Sequence, residues 1–237
     1  MYWVSQIKRI WLKLAVSLAG VGLLSSIALA CYGLAIRGQA ESLLRDITAL
    51  RVGESTETDA LNFFTKHKKF CSNRACEQDY CVTAFKMTNH WLAVLRVEPY
   101  TEFYVGYTVK HGKVSAIHAS LFCSMPIYPT FPASAGMVDE YSEYPSYLVK
   151  KQEHYSFPTP IGKPYLVVNL DSHATPIQRE HAFAFSFRCF VKPGWGCNLP
   201  CDYLPLAWQD WKSHLHNTGF PMDYFNNAYP NNTRCKP

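Results

Sequence analysis

LAVSLAGVGLLSSIALACYGLAI, residues 14–36, is the stretch that decides the fold of this chain. It contains 23 residues and no charged side chain. At a helical rise of about 1.5 Å per residue it extends about 35 Å, slightly more than the roughly 30 Å hydrocarbon core of a bilayer. The stretch predicts a transmembrane helix that embeds in a lipid bilayer, with a short tail, residues 1–13, before it and an exported domain, residues 37–237, after it.

A cleaved signal peptide is the alternative interpretation of this stretch. Lys8, Arg9 and Lys13 precede it, and Ala28-Leu29-Ala30 has the small-x-small pattern of a cleavage site, so removal of residues 1–30 would give a secreted protein. The apolar run continues to Ile36, longer than the usual signal-peptide core, which favours a retained signal anchor. Cys31 weakly matches a lipid-attachment site, because Ala28 stands where a large aliphatic residue is expected.

The cysteines indicate on which side of the membrane the domain lies, because Lys and Arg are balanced across the apolar stretch. Eight of the nine cysteines follow it, an even number that favours disulfides in an oxidising compartment. The disulfide candidates are Cys71, Cys76, Cys81, Cys123, Cys189, Cys197, Cys201 and Cys235. The domain is therefore expected outside the cytoplasm, periplasmic or extracellular. A zinc site in a cytoplasmic protein and unpaired thiols stay open as alternatives, although neither cysteine cluster has C-x2-C spacing.

The charge of the domain bounds its partners. The whole chain carries a net charge of +5, but Lys8, Arg9 and Lys13 supply three of these charges. A nucleic-acid-binding surface is normally strongly basic, so no nucleic-acid partner is predicted. With 48% hydrophobic residues, the rest of the chain can bury the core of one domain, or of two subdomains divided near residues 123–163.

Two helices are predicted directly after the apolar stretch. Leu43, Ile47 and Leu50 share a helical face that continues the membrane helix or packs above it, and Gly53 is expected to end it.

The second helix is predicted from a capping motif. Thr56 and Asp59 form the [ST]-x-x-[DE] pattern, and Leu61 and Phe64, with Phe63 beside them, are expected to be buried.

The period then changes from 3.6 to 2 between Cys81 and Phe122, which predicts strands. His111-Gly112 is the predicted turn of a hairpin, since glycine accepts a positive φ. The alternating apolar residues are Trp91, Ala93, Leu95 and Val97, then Phe103, Val105, Tyr107 and Val109. The prediction is an α+β domain with an antiparallel meander of three or four strands, one face of which is covered by the helices.

The second half of the chain is predicted to be irregular over 123–163, where prolines and tyrosines are frequent. The ranges 165–170 and 181–191 are predicted as an antiparallel strand pair, the second with Phe183, Phe185 and Phe187 on one face. Leu204, Trp208, Trp211 and Leu215 recur at helical spacing and predict a helix over 204–215.

Several of these segments carry a resemblance to other proteins. LLRDITALRVGEST, NHWLAVLRVEP, FYVGYTVKHGKVSAI and FAFSFRCFVKPGWGCNLPCDYLPLAW resemble blocks of uncharacterised exported or membrane-anchored bacterial proteins of acidobacterial type. That group has no assigned activity, so the resemblance implies an architecture and no catalytic residues. The LRVGEST turn before a helix and a meander is also similar to small periplasmic lipoproteins of outer-membrane assembly.

The sequence predicts no catalytic, cofactor-binding or metal-binding residue. It lacks the nucleophile elbow, the Walker loop, the Rossmann glycines, H-E-x-x-H and C-x-x-C. Asp171-Ser172-His173 has the residue types of a hydrolytic triad but reads better as a turn, and His214 and His216 do not share a helical face. A noncatalytic binding or envelope-structural role is therefore predicted first, and an extracytoplasmic hydrolase second.

Overall fold

The computed structural model describes residues 2–89, 101–123, 133–139, 146–151, 164–190 and 200–218. The fold is α+β, as the sequence predicts. The helices are α1 Tyr2–Thr48, α2 Glu57–His67, α3 Pro176–Ala182, α4 Pro200–Tyr203 and α5 Pro205–Thr218, with short 3-10 turns at Lys68–Phe70 and Phe187–Phe190. The strands are β1 Cys71–Glu77, β2 Tyr80–Thr88, β3 Thr101–Lys110, β4 Lys113–Cys123, β5 Ala133–Val138, β6 Ser146–Lys151 and β7 Pro164–Asp171.

The seven strands form one sheet in the order β1-β2-β3-β4-β5-β7-β6. All neighbours are antiparallel except β5 and β7, which are parallel. The predicted meander is confirmed for β2, β3 and β4. The expectation of an irregular segment over 123–163 is wrong in part, because β5 and β6 lie within it and the sheet is continuous across it. The predicted alternation of Trp91 to Val97 lies outside the described residues.

The β3–β4 hairpin turns at the predicted His111-Gly112 pair. Both residues have positive φ, 51° for His111 and 75° for Gly112. Two consecutive positive φ values are what a tight two-residue hairpin requires, because they match the right-handed twist of the flanking strands.

The C-terminal part of α1 covers one face of the sheet. Leu43 and Ile47 are fully buried and Leu50 is nearly so, which confirms that the amphipathic segment continues the apolar helix into the domain. The helix ends at Thr48, so the expectation that Gly53 directly caps it is wrong. Gly53 lies in the following turn with φ +81°, where its N–H donates to the carbonyl of Val114.

Helix α2 begins at the predicted capping motif. The Thr56 hydroxyl accepts from the Asp59 N–H, and the Asp59 carboxylate accepts from the Thr56 N–H, so both halves of the capping box form. The predicted buried side is confirmed for Phe63, which is buried against Phe85 and Tyr107, and in part for Phe64, which is half-buried against the core. It is wrong for Leu61, which is exposed because the helix turns the stripe of Ala60, Phe63 and His67 toward the sheet.

The segment with alternating phenylalanines is buried but is not a strand. Phe183, Phe185 and Phe187 all lie in the core, yet the chain there leaves α3 and enters a 3-10 turn, so the predicted strand over 181–191 and its pairing with β7 are wrong. The reason is local hydrogen bonding: the Phe183 N–H donates to the Arg179 carbonyl and the Ser186 N–H to the Tyr203 carbonyl, not to a neighbouring strand. The predicted C-terminal helix is confirmed as α5, with Trp208 and Trp211 buried.

The sheet has two distinguishable ends relative to α1. We call the end at the His111-Gly112 turn the turn end, because the chain after α1 is tied there by Gly53 to Val114 and by Glu57 N–H to the Gly112 carbonyl. We call the opposite end, where β3 starts and β4 stops, the entry end. Near it the Phe187–Phe190 turn packs on α1, and the ring centroids of Phe187 and Phe103 are 4.8 Å apart. Helix α1 therefore enters the domain at the entry end and runs toward the turn end.

Candidate functional site

The N-terminal part of α1 is a long apolar surface that the domain leaves uncovered. Every residue from 11 to 31 is exposed, and one window of this helix has a mean hydropathy of 2.1 with none of it buried. These 21 residues extend about 31 Å, close to the thickness of a hydrocarbon core. The helix is thus long and apolar enough to cross a membrane, as predicted.

The uncovered part of α1 leads directly into the part that packs on the domain. Tyr32 packs against the core, Gly33 is buried, and Ile36 is 8% exposed. From Tyr32 onward one face of the helix is covered while Leu34 on another face is 56% exposed, so the end of the predicted span of 14–36 overlaps the start of the domain and no linker separates them. Because α1 is one unbroken helix from residue 2 to residue 48, the apolar surface and the core are parts of the same rod.

A charged cluster joins the C-terminal end of α1 to α2. Asp46 Oδ2 lies 2.7 Å from Lys66 Nζ and 2.7 Å from His67 Nε2. The His67 side chain is buried and its ring contacts that of Phe63 at 4.9 Å. Partial burial by itself would raise the pKa of Asp46, but the hydrogen bonds from Lys66 and His67 outweigh it, so the pKa is lowered. The cluster holds the second helix against the first.

Two open grooves flank this helix pair. One, of about 590 Å³, lies at the α1–α2 turn and is lined by residues that include Asp46, Asp59 and Lys66. The other, of about 500 Å³, lies between α1 and α3 and combines an apolar floor, including Leu44 and Phe185, with a charged rim. In the first groove Asp46 is paired with Lys66, and Asp59 caps α2 through Thr56.

The sheet face opposite the helices carries a second polar cluster. Glu102 accepts from Lys86 Nζ at 2.5 Å and from the Tyr104 hydroxyl at 2.6 Å, and the Thr88 hydroxyl lies 3.4 Å from the same carboxylate. The hydrogen bond with Glu102 raises the pKa of Lys86 to about 12. Desolvation, followed by the hydrogen bond to Glu102, raises the pKa of Tyr104. Lys86 therefore stays charged and Tyr104 neutral at neutral pH, which suits a structural cross-strand network and not proton transfer.

His118 lies beside this network between two glycines. The register places His118 opposite Gly106 on β3 and opposite Gly136 on β5. A Cβ on Gly106 would lie 2.2 Å from His118 Cε1, so the imidazole occupies the space above that glycine. The residue presents surface to solvent, but the protein around it is dense enough that desolvation lowers its pKa. His118 is neutral at physiological pH as a result.

The described cysteines are either disulfide-bonded or free. Cys76 and Cys81 form a disulfide across the β1–β2 hairpin, where the strand register sets them directly opposite each other. Cys201 is also disulfide-bonded. The prediction that Cys71 is disulfide-bonded does not hold, because Cys71 is a free thiol whose register partner on β2 is Phe85. The side chains of Cys123 and Cys189, and all of Cys197 and Cys235, lie outside the described residues.

The sequence segments tested for catalytic chemistry are not brought together as sites. Asp171-Ser172-His173 is a turn in which the Asp171 carboxylate accepts from the His173 N–H, which confirms the turn interpretation. His214 and His216 lie two apart on helix α5, where they cannot share a face. Within the described residues, no group of three or more His, Cys, Asp or Glu side chains is arranged to hold a metal ion.

Two histidine–aspartate contacts escaped the sequence analysis. One is His67 with Asp46, and the other is His181 Nδ1 with Asp210 Oδ2 at 2.7 Å, between α3 and α5. Their partners are 21 and 29 residues apart, and no local pattern links them. The cap of α3 did carry a signal: Thr175 and Gln178 form the same reciprocal capping box as Thr56 and Asp59.

Comparison with known proteins identifies no relative: no protein-family model, no curated protein and no solved structure matches this chain.

Proposed function

We propose that this protein is a single-pass membrane protein whose C-terminal domain lies outside the cytoplasm and has a noncatalytic binding or envelope-structural role. The observation that carries the proposal is the uncovered stretch of α1 over residues 11–31, which continues without a break into the core of the domain. An apolar surface of this length is costly in water, and a bilayer of matching thickness removes that cost.

The cysteines support the outward orientation of the domain. The Cys76–Cys81 disulfide staples an edge hairpin whose first strand, β1, is almost entirely exposed. A disulfide at such an accessible position persists in an oxidising compartment and is reduced in the cytosol. With the domain outside, Lys8, Arg9 and Lys13 lie at the cytoplasmic end of the span.

The noncatalytic role is supported by how the described polar side chains are used. Asp46 is ion-paired with Lys66 and hydrogen-bonded to His67, and Glu102 is ion-paired with Lys86, so these side chains stabilise the packing of helices and strands. The pKa of Lys86 is raised to about 12, away from the value near 7 that a general base or nucleophile needs.

The test is an intact mass of the protein from its native cells, with thiols alkylated before lysis and no reductant added. A full-length chain that resists alkaline extraction from membranes, with Cys76 and Cys81 unalkylated, is the expected result. A chain that begins at Cys31 would show that residues 1–30 are removed and that the protein is secreted or lipidated, not anchored by a transmembrane helix. Alkylation of Cys76 and Cys81 would place the domain in a reducing compartment and refute the orientation.

Activity-based labelling tests the noncatalytic role. A serine- or cysteine-directed probe is expected to label the native protein at no single residue in stoichiometric yield. Stoichiometric labelling of one residue, lost on unfolding, would instead support the extracytoplasmic hydrolase.

A further inference from the structure

We infer that the groove between α1 and α3 binds a free α-amino acid with an apolar side chain, taken up from the aqueous phase outside the membrane. This ligand class rests on the proposed binding role of the domain, which it makes specific. Three features of the groove support it: an apolar floor of suitable size, one available charge of each sign on the rim, and the distance from the membrane span.

The floor of the α1–α3 groove is apolar and is built from several separate elements. Its apolar side chains include Leu44 of α1, Ile117 of β4, Phe183 and Phe185 after α3, and Leu206 of α5. All but Leu206 belong to the hydrophobic core, so packing fixes their positions. The volume of about 500 Å³ lies within the roughly 300–1,000 Å³ range of small-molecule sites. The floor is therefore already formed before a ligand binds.

The charged side chains that line the rim are not equally available to a ligand. Glu41 is ion-paired with Arg37, with Oε1 and Nε 2.6 Å apart. Arg179 donates to the backbone carbonyls of Ser172 and Ala174, at 2.9 Å each, which holds its guanidinium against the start of α3. Both side chains are therefore engaged by the protein itself.

Arg45 on α1 and Glu180 on α3 are the charges left for a ligand. Both side chains are exposed and line the groove from the two helices that flank it. Arg45 makes a 3.4 Å contact with the Ser42 hydroxyl, and neither Arg45 nor Glu180 has an ion-pair partner among the described residues. A guanidinium binds a carboxylate, and a carboxylate binds an ammonium, through charge-assisted hydrogen bonds. One cation and one anion beside an apolar floor therefore match a small zwitterion with an apolar body.

The position of the groove along α1 favours a ligand from water over a lipid of the bilayer. Glu41 is the first residue of α1 that lines the groove, ten residues beyond residue 31, where the uncovered stretch ends. Ten residues of helix advance about 15 Å, whereas the headgroup layer is roughly 5–8 Å thick on each side of the hydrocarbon core. A lipid that stays in the bilayer does not reach this floor, so the zwitterion is a soluble one, an apolar α-amino acid.

Isothermal titration calorimetry of the full-length protein in lipid nanodiscs tests the site. Free leucine and free phenylalanine are titrated, with free serine as the polar control. We expect saturable binding of both apolar amino acids and binding of serine at least about tenfold weaker, because serine leaves the apolar floor unfilled. Heats that do not saturate at millimolar concentrations of either apolar amino acid would overturn the inference.

Two analogues of leucine test the two charges separately. Leucinamide keeps the ammonium and lacks the carboxylate, and N-acetylleucine keeps the carboxylate and lacks the ammonium. Each should bind at least about tenfold more weakly than leucine, because one charge-assisted hydrogen bond is lost. An analogue that binds as tightly as leucine would refute the role of the corresponding rim charge. A leucine dipeptide that binds more tightly than leucine would overturn the single amino acid as the occupant.

Matched variants test whether the groove is the binding site, with melting temperatures as the check of folding. Arg45→Gln and Glu180→Gln should each weaken leucine binding at least about tenfold, whereas Arg51→Gln, in the groove at the α1–α2 turn, should leave it unchanged. Ala184→Leu narrows the α1–α3 groove and should weaken binding, and Ala49→Leu in the groove at the α1–α2 turn should not. In Arg45→Gln, leucinamide should bind as well as leucine, because the carboxylate has lost its partner. Equal affinities in all the variants would overturn the assignment of the site.

The readouts separate the ligand from the proposed function. Protein that binds no amino acid but resists alkaline extraction from membranes would overturn the ligand and leave the anchor standing. We expect leucine to be recovered chemically unchanged by mass spectrometry after incubation with the protein. A chemically altered leucine would refute the noncatalytic role and leave the binding site standing.

Discussion

Gly106→Ala is expected to destabilise the domain, whereas Gly136→Ala is not. Both glycines flank His118 in the same cross-strand row, which makes them a matched pair. A Cβ on Gly106 would lie 2.2 Å from His118 Cε1 and 2.9 Å from the backbone oxygen of Thr83. A Cβ on Gly136 would lie 3.6 Å from its nearest neighbours, an ordinary van der Waals distance.

The magnitudes follow from these contacts. Overpacking a well-packed site typically lowers the free energy of unfolding by about 1–3 kcal/mol. We expect a loss in this range for Gly106→Ala because the Thr83 carbonyl is part of the backbone and cannot rotate away. Each kcal/mol shifts the melting temperature of a domain of this size by roughly 2–4 °C. Gly136→Ala should change stability little, or raise it by about 0.5 kcal/mol, because alanine loses less conformational freedom on folding.

Thermal unfolding of the detergent-solubilised protein, followed by tryptophan fluorescence, measures both effects. The double variant Gly106→Ala with His118→Ala should recover only part of the lost stability, since the Thr83 contact stays. A Gly106→Ala protein that melts with the wild type, or a Gly136→Ala protein that falls by as much as Gly106→Ala, would refute the close packing described for this row.

Three further predictions concern the helix layer and the hairpin. Phe63→Ala should lower the free energy of unfolding by about 3–5 kcal/mol because the ring is buried, whereas Leu61→Ala, exposed on the same helix, should change it by no more than about 0.5 kcal/mol. Urea denaturation compares the two variants, and similar losses of stability would contradict the assigned packing of α2. Asp46→Asn should destabilise the protein near neutral pH. Because the folded pKa of Asp46 is lowered, the extra unfolding free energy of the wild type is fully present above about pH 4 and decreases as the pH falls through that lowered pKa. A difference in unfolding free energy that grows on acidification would contradict this sign. Replacing Cys76 and Cys81 together by Ser opens a loop with a sequence separation of 5 and should cost about 2 kcal/mol without reductant, which denaturation midpoints would detect; an unchanged midpoint would mean that the bond does not constrain the unfolded chain.

The sequence was sufficient to predict an element where its side-chain pattern agrees with its backbone hydrogen bonds. Apolar spacing predicted an amphipathic helical segment after the uncovered stretch, and the Thr56 capping motif located the start of α2. Alternation and a glycine turn predicted β3 and β4.

The side-chain pattern gave a wrong prediction where residues are buried but the backbone does not form a strand. Phe183, Phe185 and Phe187 alternate like a strand and are buried like one, but the backbone there bonds to α3 and to Tyr203. Alternation reports which side chains are inside and does not report where the N–H groups donate.

Long-range pairings left no local signal. The parallel contact of β5 with β7 and the Asp46–His67 contact each join segments more than 20 residues apart. The edge strand β1, CSNRACE, has no alternation of apolar and polar residues and is held by its pairing with β2 and by the Cys76–Cys81 bond, so its side-chain pattern did not predict it.

The continuity of α1 constrains how the chain is made. The helix is synthesised first, but the residues that cover its C-terminal half, among them Ile117, Met137 and Phe187, are synthesised roughly 70 to 140 residues later. During this interval Leu43, Leu44 and Ile47 lack the sheet residues that bury them in the folded domain. Burial of this face of α1 is therefore complete only after the last third of the chain, which contains Phe187, has been synthesised.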